Sequence, residues 1–290
     1  MKGRLVMLVR WLGGKSKLAE EIVNIFPPHK RYIEPFFGGG WIFFKKAPTD
    51  ESILNDINSD LMNLYLTVRD EPQELARLIH YTPKHESIFN QYIDLYWNKR
   101  EVYSRLSNPV RAMIYLFLVK NSFNAMFYSF SVGSTGWQGD GITETMWKVH
   151  EKLKGANILC RDYGEVIRQY ANKDTLIYLD PPYAITMDEK DYYYKYTLTE
   201  KQHEQLRNEL VGRKDVYKWV LSYDIHPLIE KLYSNIPNIY IMKTTMQFQA
   251  SINRSNVTSK EYDKTNKFRQ EYLITNFPIQ STLPLFGGIE

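Results

Sequence analysis

The sequence has a single cysteine in 290 residues, Cys160. That excludes an internal disulfide and any zinc site built on several thiolates, and it makes the reducing cytoplasm the expected location. No apolar run approaches the ~18 residues that a membrane-spanning helix needs. The apolar stretch near the start, Leu5 to Val9, is shorter than the ~7–15 residues of a signal-peptide core, so no secretion signal is expected. The sequence has no internal repeat and no low-complexity tract, which excludes solenoids and fibres. What it does have is 43% apolar and 24% charged residues. That suits one large domain, or a core domain carrying a sizeable insertion.

The net charge is only +4, too little on its own to imply a nucleic-acid partner. Its distribution says more. Between Lys243 and Arg269 lie Lys243, Arg254, Lys260, Lys264, Lys267 and Arg269 against Glu261 and Asp263, a local excess equal to the charge of the whole chain. Aromatics are abundant, with 22 Tyr, 14 Phe and 6 Trp. They suit stacking surfaces and equally suit a buried core.

Helix and strand signals alternate in the first ~60 residues. Leu18, Ile22, Val23 and Phe26 share a helical face behind Ser16, and Pro27-Pro28 ends that helix. Strands are expected at Tyr32–Phe36 and Ser52–Asn55, then a helix through Leu61, Leu64, Tyr65 and Val68. From Pro72 to about Phe130 the pattern is helical, and residues 129–141 read as a glycine-rich loop. Alternation resumes after about 155, with strands expected at Ile158–Cys160, Leu176–Leu179, Trp219–Ser222, Ile239–Met242 and Tyr272–Thr275. Thr199 to Gln202 forms a capping box for a helix that Gly212 can close. The expected fold is α/β, a mostly parallel sheet with a helical block inserted between its two halves.

The most informative segment is Thr175 to Tyr183, a strand running into Asp180-Pro181-Pro182-Tyr183. Two prolines stiffen the turn and remove two N–H donors. Asp180 falls at the carboxyl end of a strand, where open α/β sheets hold ligands. A carboxylate, a carbonyl and a flat ring suit a planar amine; an ordinary strand-ending turn is the plainer alternative. The second segment, Tyr32 to Gly40, brings a strand into three glycines that let a ligand approach the backbone. It lacks the spacing of the dinucleotide fingerprint, and a plain turn is as common a use. Asp56, ending the next strand, can bind ribose hydroxyls or cap the following helix. Arg10 to Lys15 reads as a turn before a helix.

Asp180-Pro181-Pro182-Tyr183 resembles the catalytic motif of amino-group DNA methyltransferases that modify N6 of adenine. Glu34-Pro35-Phe36-Phe37-Gly38-Gly39-Gly40 resembles their S-adenosylmethionine motif, and Asn55, Asp56, Asn58, Asp60 and Leu61 match a further pattern. Trp11 and Lys15 resemble the pair beside the methionine part of the cofactor. Asp162 follows a strand where the family contacts the cofactor adenine, and a plain loop aspartate is an even alternative. Lys120 to Phe127, Leu221 to Asp224 and Glu271 to Phe277 fall in the family's order. That order, cofactor motif first, is similar to the Dam-like, D12-class α group. The resemblance implies a Rossmann-like S-adenosylmethionine-dependent methyltransferase domain of residues 1–70 and 155–290. It also implies an inserted, mainly helical target-recognition domain of residues 71–154.

The implied activity is site-specific methylation of a flipped-out adenine in double-stranded DNA, as in restriction–modification, without a metal and by a monomer or weak dimer. The implied catalytic residues are Asp180, Pro181, Pro182 and Tyr183. The implied cofactor residues are Trp11, Lys15, Glu34, Pro35, Phe36, Gly38, Gly40, Asp56, Asp162 and Asp180. Arg100, Arg105, Arg111, Lys120, Asn124, Tyr194, Arg254 and Lys260 are the candidate DNA contacts, although a solvated surface charge is each one's commoner fate. Tyr192 to Tyr196 is read as a loop that closes over the base, or as one whose tyrosines pack on the sheet. N4-cytosine, RNA or protein amines are alternative targets, and a non-catalytic DNA-binding relative is a rival of another class. C5-cytosine chemistry needs a cysteine nucleophile, and Cys160 has no Pro-Cys neighbour.

Overall fold

The computed structural model describes residues 7–9, 15–122, 127, 129–132, 137, 140–184, 196–247 and 268–279. The chain groups into two compact units. One holds the residues up to Asn24 and Pro28–Ile177, the other Ile25–Pro27 and the residues from Tyr178 on.

The first unit contains β1 (Arg31–Glu34), β2 (Glu51–Asn55), β3 (Asn157–Leu159) and the start of β4 (Thr175–Leu179). Their order is β3-β2-β1-β4 and every pairing is parallel, with Ile33 opposite both Ile53 and Ile177. Tyr32, Ile33, Ile53 and Leu54 have no exposed surface. Such unbroken apolar runs belong to strands covered on both faces. Parallel neighbours need crossovers, which α2 (Trp41–Lys45) and α3 (Ser59–Asp70) begin to supply. Asn58 caps α3 by accepting the Asp60 and Leu61 N–H groups.

The link from α3 to β3 carries α4 (Pro72–Tyr81), α5 (Glu86–Trp97), α6 (Arg100–Arg105), α7 (Asn108–Asn121) and α8 (Asp140–Leu153). Pro109 sits in the first turn of α7, where its missing N–H costs nothing. Every residue from Ala112 to Val119 is buried, so this helix is packed on all sides, against α3 and α4 among others. Helix α8 begins inside the segment read as a loop. After β3 comes α9 (Tyr163–Tyr170), capped by Asp162.

The second unit holds the end of β4, then β5 (Lys218–Asp224), β6 (Tyr240–Gln247) and β7 (Phe268–Thr275). Strand β7 lies between β5 and β6 and is antiparallel to both, so the strands are mixed in direction rather than nearly all parallel. Helix α10 (Glu200–Gly212) opens with the expected capping box, and α11 (Pro227–Tyr233) is capped by His226. Trp219, Val220, Leu221, Leu273 and Ile274 are fully buried. The architecture is α/β, as the alternation implies. No described helix is long and apolar enough to cross a membrane. No group of three or more His, Cys, Asp or Glu that could hold a metal ion occurs among the described residues.

Candidate active site

In the first unit the chain leaves the carboxyl ends of β1, β2 and β3 in three adjoining loops, and Asn55 ties them. Its Nδ2 donates to the carbonyls of Pro35 and Arg161, both at 3.0 Å, and its Oδ1 accepts the Arg161 N–H at 2.9 Å. Its backbone oxygen accepts the Phe37 N–H at 2.8 Å. A buried amide with this many partners is stable where a bare one would not be.

Asp56 follows directly. One carboxylate oxygen accepts the Gly38 N–H and the other the Asn58 N–H, each at 2.9 Å. Burial pushes its pKa up, while the N–H groups of Asn58, Gly38 and Ile57 favour the ionised form. The cap of α3 is therefore Asn58, and Asp56 instead braces the glycine loop. That loop turns at Gly38 and Gly40, with φ of 46° and 70°. The Gly40 N–H donates to Phe37 O at 2.7 Å, and Tyr65 OH to Gly38 O at 3.2 Å. A Cβ on Gly40 would lie 2.6 Å from the Phe37 ring and 2.7 Å from that of Phe44, so only glycine fits.

Glu34 is buried and accepts the Tyr32 hydroxyl at 2.7 Å, and Lys15 is buried in the same unit. Phe36 packs against Tyr163 with ring centroids 5.1 Å apart. Asp162 spends Oδ1 on the Gly164 and Glu165 N–H groups as the cap of α9. Ile57 is half exposed beside Asp56, and Cys160 Sγ contacts its carbonyl at 3.7 Å. The first unit thus brings Pro35, Phe36, Gly38, Asp56 and Asp162 onto adjoining loops. Trp11 lies outside the described residues. Asn55, Ile57 and Tyr163 had no individual role in the sequence reading. An apolar Ile57 among polar neighbours was the available signal.

In the second unit, β4 ends at Leu179 and Asp180 follows, half-buried, before a buried Pro181. Tyr183 is 8% exposed. The chain is anchored just beyond it, where the Ala184 N–H donates to Asp224 Oδ1 at 3.1 Å. Burial pushes the pKa of the Tyr183 hydroxyl well up, with the charges of Asp180 and Glu271 adding to the effect. The Tyr183 ring lies 6.0 Å from that of Tyr223, tilted by 44°. Tyr178 OH and Ser222 Oγ pair at 2.9 Å, and His203 Nδ1 pairs with Tyr223 OH. Leu221–Asp224 and Glu271–Phe277 were legible as segments, but no roles were assigned to Asp224 or Glu271. Tyr194 lies outside the described residues.

Among the expected DNA contacts, Arg100 is exposed and paired within the first unit. Its Nη2 bonds the buried Asp60 at 2.6 Å, and its guanidinium lies 4.8 and 4.6 Å from the ring centroids of Tyr96 and Tyr103. The reason is the partner: a carboxylate 2% exposed needs a counter-charge, and Tyr96 OH also donates to it at 3.0 Å. Arg111 Nη2 donates to Asn108 Oδ1. Arg105 is exposed at the end of α6, and Lys120 is half-buried in the last turn of α7. Asn124, Arg254 and Lys260 lie outside the described residues.

A family model for the D12 class of N6 adenine-specific DNA methyltransferases matches residues 11–248. The chain is 28% identical over 256 residues to the Type II methyltransferase M1.LlaDCHI of Lactococcus lactis subsp. cremoris, covering 81% of this chain and 87% of that one. It is 32% identical over 192 residues to the DNA N-6-adenine-methyltransferase of Escherichia phage P1, covering 61% of this chain but 24% of that one. Identity to the DNA adenine methylase of Haemophilus influenzae is 31% over 195 residues, covering 63% and 66% respectively.

Proposed function

Because the chain belongs to the D12 class of N6 adenine-specific DNA methyltransferases, we propose that it moves a methyl group from S-adenosylmethionine to N6 of an adenine turned out of duplex DNA. The observation that carries this reading is the turn after β4, where Asp180 and the Pro181 carbonyl precede a buried, anchored Tyr183.

The N6 amine is a poor nucleophile because its lone pair is delocalised into the ring. The Asp180 carboxylate and the Pro181 carbonyl accept its two hydrogens. This favours a pyramidal nitrogen and stabilises the positive charge that develops on it. Pro182 keeps the turn stiff, so the acceptors are held before the base arrives. Unstacking the base costs a few kcal/mol. Stacking on Tyr183 returns ~1–3 kcal/mol.

The first unit's loops fit an adenosine. Asp56 is a buried acid at a strand end, as a ribose diol requires, and Gly40 holds the loop in a left-handed turn that leaves no room for a Cβ. Phe36, Ile57 and Tyr163 offer apolar surface for the adenine. Glu34, Lys15 and Trp11 complete the cofactor set. When bound, S-adenosylmethionine supplies an electrophilic methyl on a positively charged sulfur. Residues 71–154 read the target sequence. Arg105, Arg111, Lys120, Asn124, Arg254 and Lys260 contact the DNA, Tyr194 closes over the base, and the protein acts as a monomer or weak dimer.

The test is transfer of labelled methyl groups to unmethylated genomic DNA by wild type and Asp180→Ala, with products digested to nucleosides. N6-methyladenine is expected from the wild type, with at least a ~10²–10³-fold loss in the variant. Binding of S-adenosylhomocysteine, read as a melting shift, is expected to survive. N4-methylcytosine as the product, or full activity of Asp180→Ala, would overturn the reading.

A further inference from the structure

We propose that Tyr223 and His203 are positioning residues for methyl transfer: His203 holds the Tyr223 hydroxyl, and the Tyr223 ring packs against the Tyr183 ring that receives the target base. This rests on the reading of Tyr183 as the stacking platform. The Tyr183 and Tyr223 centroids lie 6.0 Å apart with the rings tilted by 44°, inside the range of interacting aromatic pairs. Tyr223 and His203 are both buried. His203 Nδ1 pairs with the Tyr223 hydroxyl, and the two rings also pack, with centroids 5.5 Å apart. Such a buried polar pair adds little stability over apolar side chains of the same shape. What it adds is a fixed angle. A ring held only by packing can turn about its two side-chain torsions; a bond at its tip sets the plane.

The neighbours of Tyr223 on β5 serve the same segment. Ser222 Oγ pairs at 2.9 Å with the hydroxyl of Tyr178, just ahead of the motif. Asp224 accepts the N–H of Ala184, just past it, at 3.1 Å. Three consecutive residues of β5 thus meet the chain before the motif, at its ring and beyond it. All three are buried. The mount is stiff on both sides. Ser222, Tyr223 and Asp224 are all in register with β7. His203 sits in the first turn of α10, where the capping box at Thr199 fixes the backbone and the His203 N–H donates to Thr199 O at 3.0 Å. His203 therefore reaches Tyr183 through Tyr223.

The experiment uses the full chain and compares Tyr223→Phe, His203→Leu, their double variant, His203→Asn and Tyr183→Ala. Readouts are single-turnover methyl transfer at saturating DNA, fluorescence of 2-aminopurine at the methylated position, and S-adenosylhomocysteine affinity. Tyr223→Phe keeps the ring and loses the bond; His203→Leu loses the same bond from the other side. Each should slow transfer about 10-fold and reduce the 2-aminopurine signal, with S-adenosylhomocysteine affinity unchanged. The double variant should be no worse than the worse single. His203→Asn, whose amide falls near the place of Nδ1, should recover most of the rate. Independent, multiplying losses would overturn the proposal, as would wild-type transfer and flipping in Tyr223→Phe, or a matching loss of S-adenosylhomocysteine affinity. If His203→Leu fails to fold, Tyr223→Phe and His203→Asn decide, because they break and keep the same bond. Full flipping and transfer by Tyr183→Ala would instead remove the stacking reading beneath it.

Discussion

In the loop after β1, Gly38 and Gly40 take left-handed backbone, and the N–H groups of Phe37, Gly38 and Gly40 end on Asn55, Asp56 and Phe37. The turn after β4 has prolines at 181 and 182, which offer no N–H, and it is tied just beyond by the Ala184 N–H on Asp224. The glycine loop is compliant by composition and is made rigid by its own main-chain donors. The proline turn is rigid by composition, leaves its carbonyls to accept, and is anchored by an acid on β5. A loop that must let a ligand lie along its backbone suits the first arrangement. A turn that must present acceptors suits the second.

The largest expected effect comes from Gly40→Ala. The new methyl meets two phenylalanine rings at a φ of 70°, so about 1–3 kcal/mol of strain should appear as a lower Tm together with weaker S-adenosylhomocysteine binding. An unchanged Tm would mean that the loop is not constrained as described. Next is the pair Asp56→Asn and Asp224→Asn. Each turns a buried acceptor of backbone N–H into a half-donor, at about 1–3 kcal/mol. Asp56→Asn should weaken cofactor binding and spare base flipping; Asp224→Asn should do the reverse. If both variants lose both functions, the division of labour fails.

The contrast between groups tied inward and groups offered outward extends to the helical block. Arg100→Gln should lower Tm, because Asp60 loses its cation, without altering the salt dependence of DNA binding. Arg105→Gln should leave Tm alone and reduce the salt slope by about one unit. Plots of log affinity against log salt distinguish them.

The smallest effects are in pH. Lys46 donates to Ala47 O and Thr49 Oγ1 over the Tyr32 ring, and burial pulls its pKa from 10.5 to about 8. Between pH 8 and 10.5 the unfolded chain holds a proton that the folded one does not, so stability rises with pH across that window. In the second unit, burial lowers the His203 pKa below 6.5, ahead of the opposing pull of Asp224. Stability there rises as pH climbs towards 6.5 and falls in acid. Lys46→Met should flatten the alkaline limb of a Tm profile and His203→Gln the acid limb, each by a few degrees, about 2–4 °C per kcal/mol.

The seven strands among the described residues were legible, because apolar β-branched runs are local signals. So was the capping box at Thr199. Short α2 was not, since five residues carry too little periodicity. The candidate site could be read from the sequence where a motif is contiguous, at Asp180 to Tyr183 and Glu34 to Gly40. It was obscure where a role depends on distant partners. Asn55 meets Arg161 across 106 residues, and Asp224 reads as any strand end until the Ala184 N–H, 40 residues away, is set beside it. The pairing of Arg100 depends on a distant partner in the same way. Its buried acid, Asp60, lies 40 positions earlier in the chain.

The lone thiol has a practical consequence. Cys160 is exposed, and its Sγ rests against the carbonyl of Ile57, one residue from Asp56. Burial raises its pKa, so maleimide coupling proceeds best under mildly alkaline conditions. With no second sulfhydryl in the chain, the native protein accepts an environment-sensitive dye at one defined point. Occupancy of the neighbouring loops can then be followed in real time without mutating the protein.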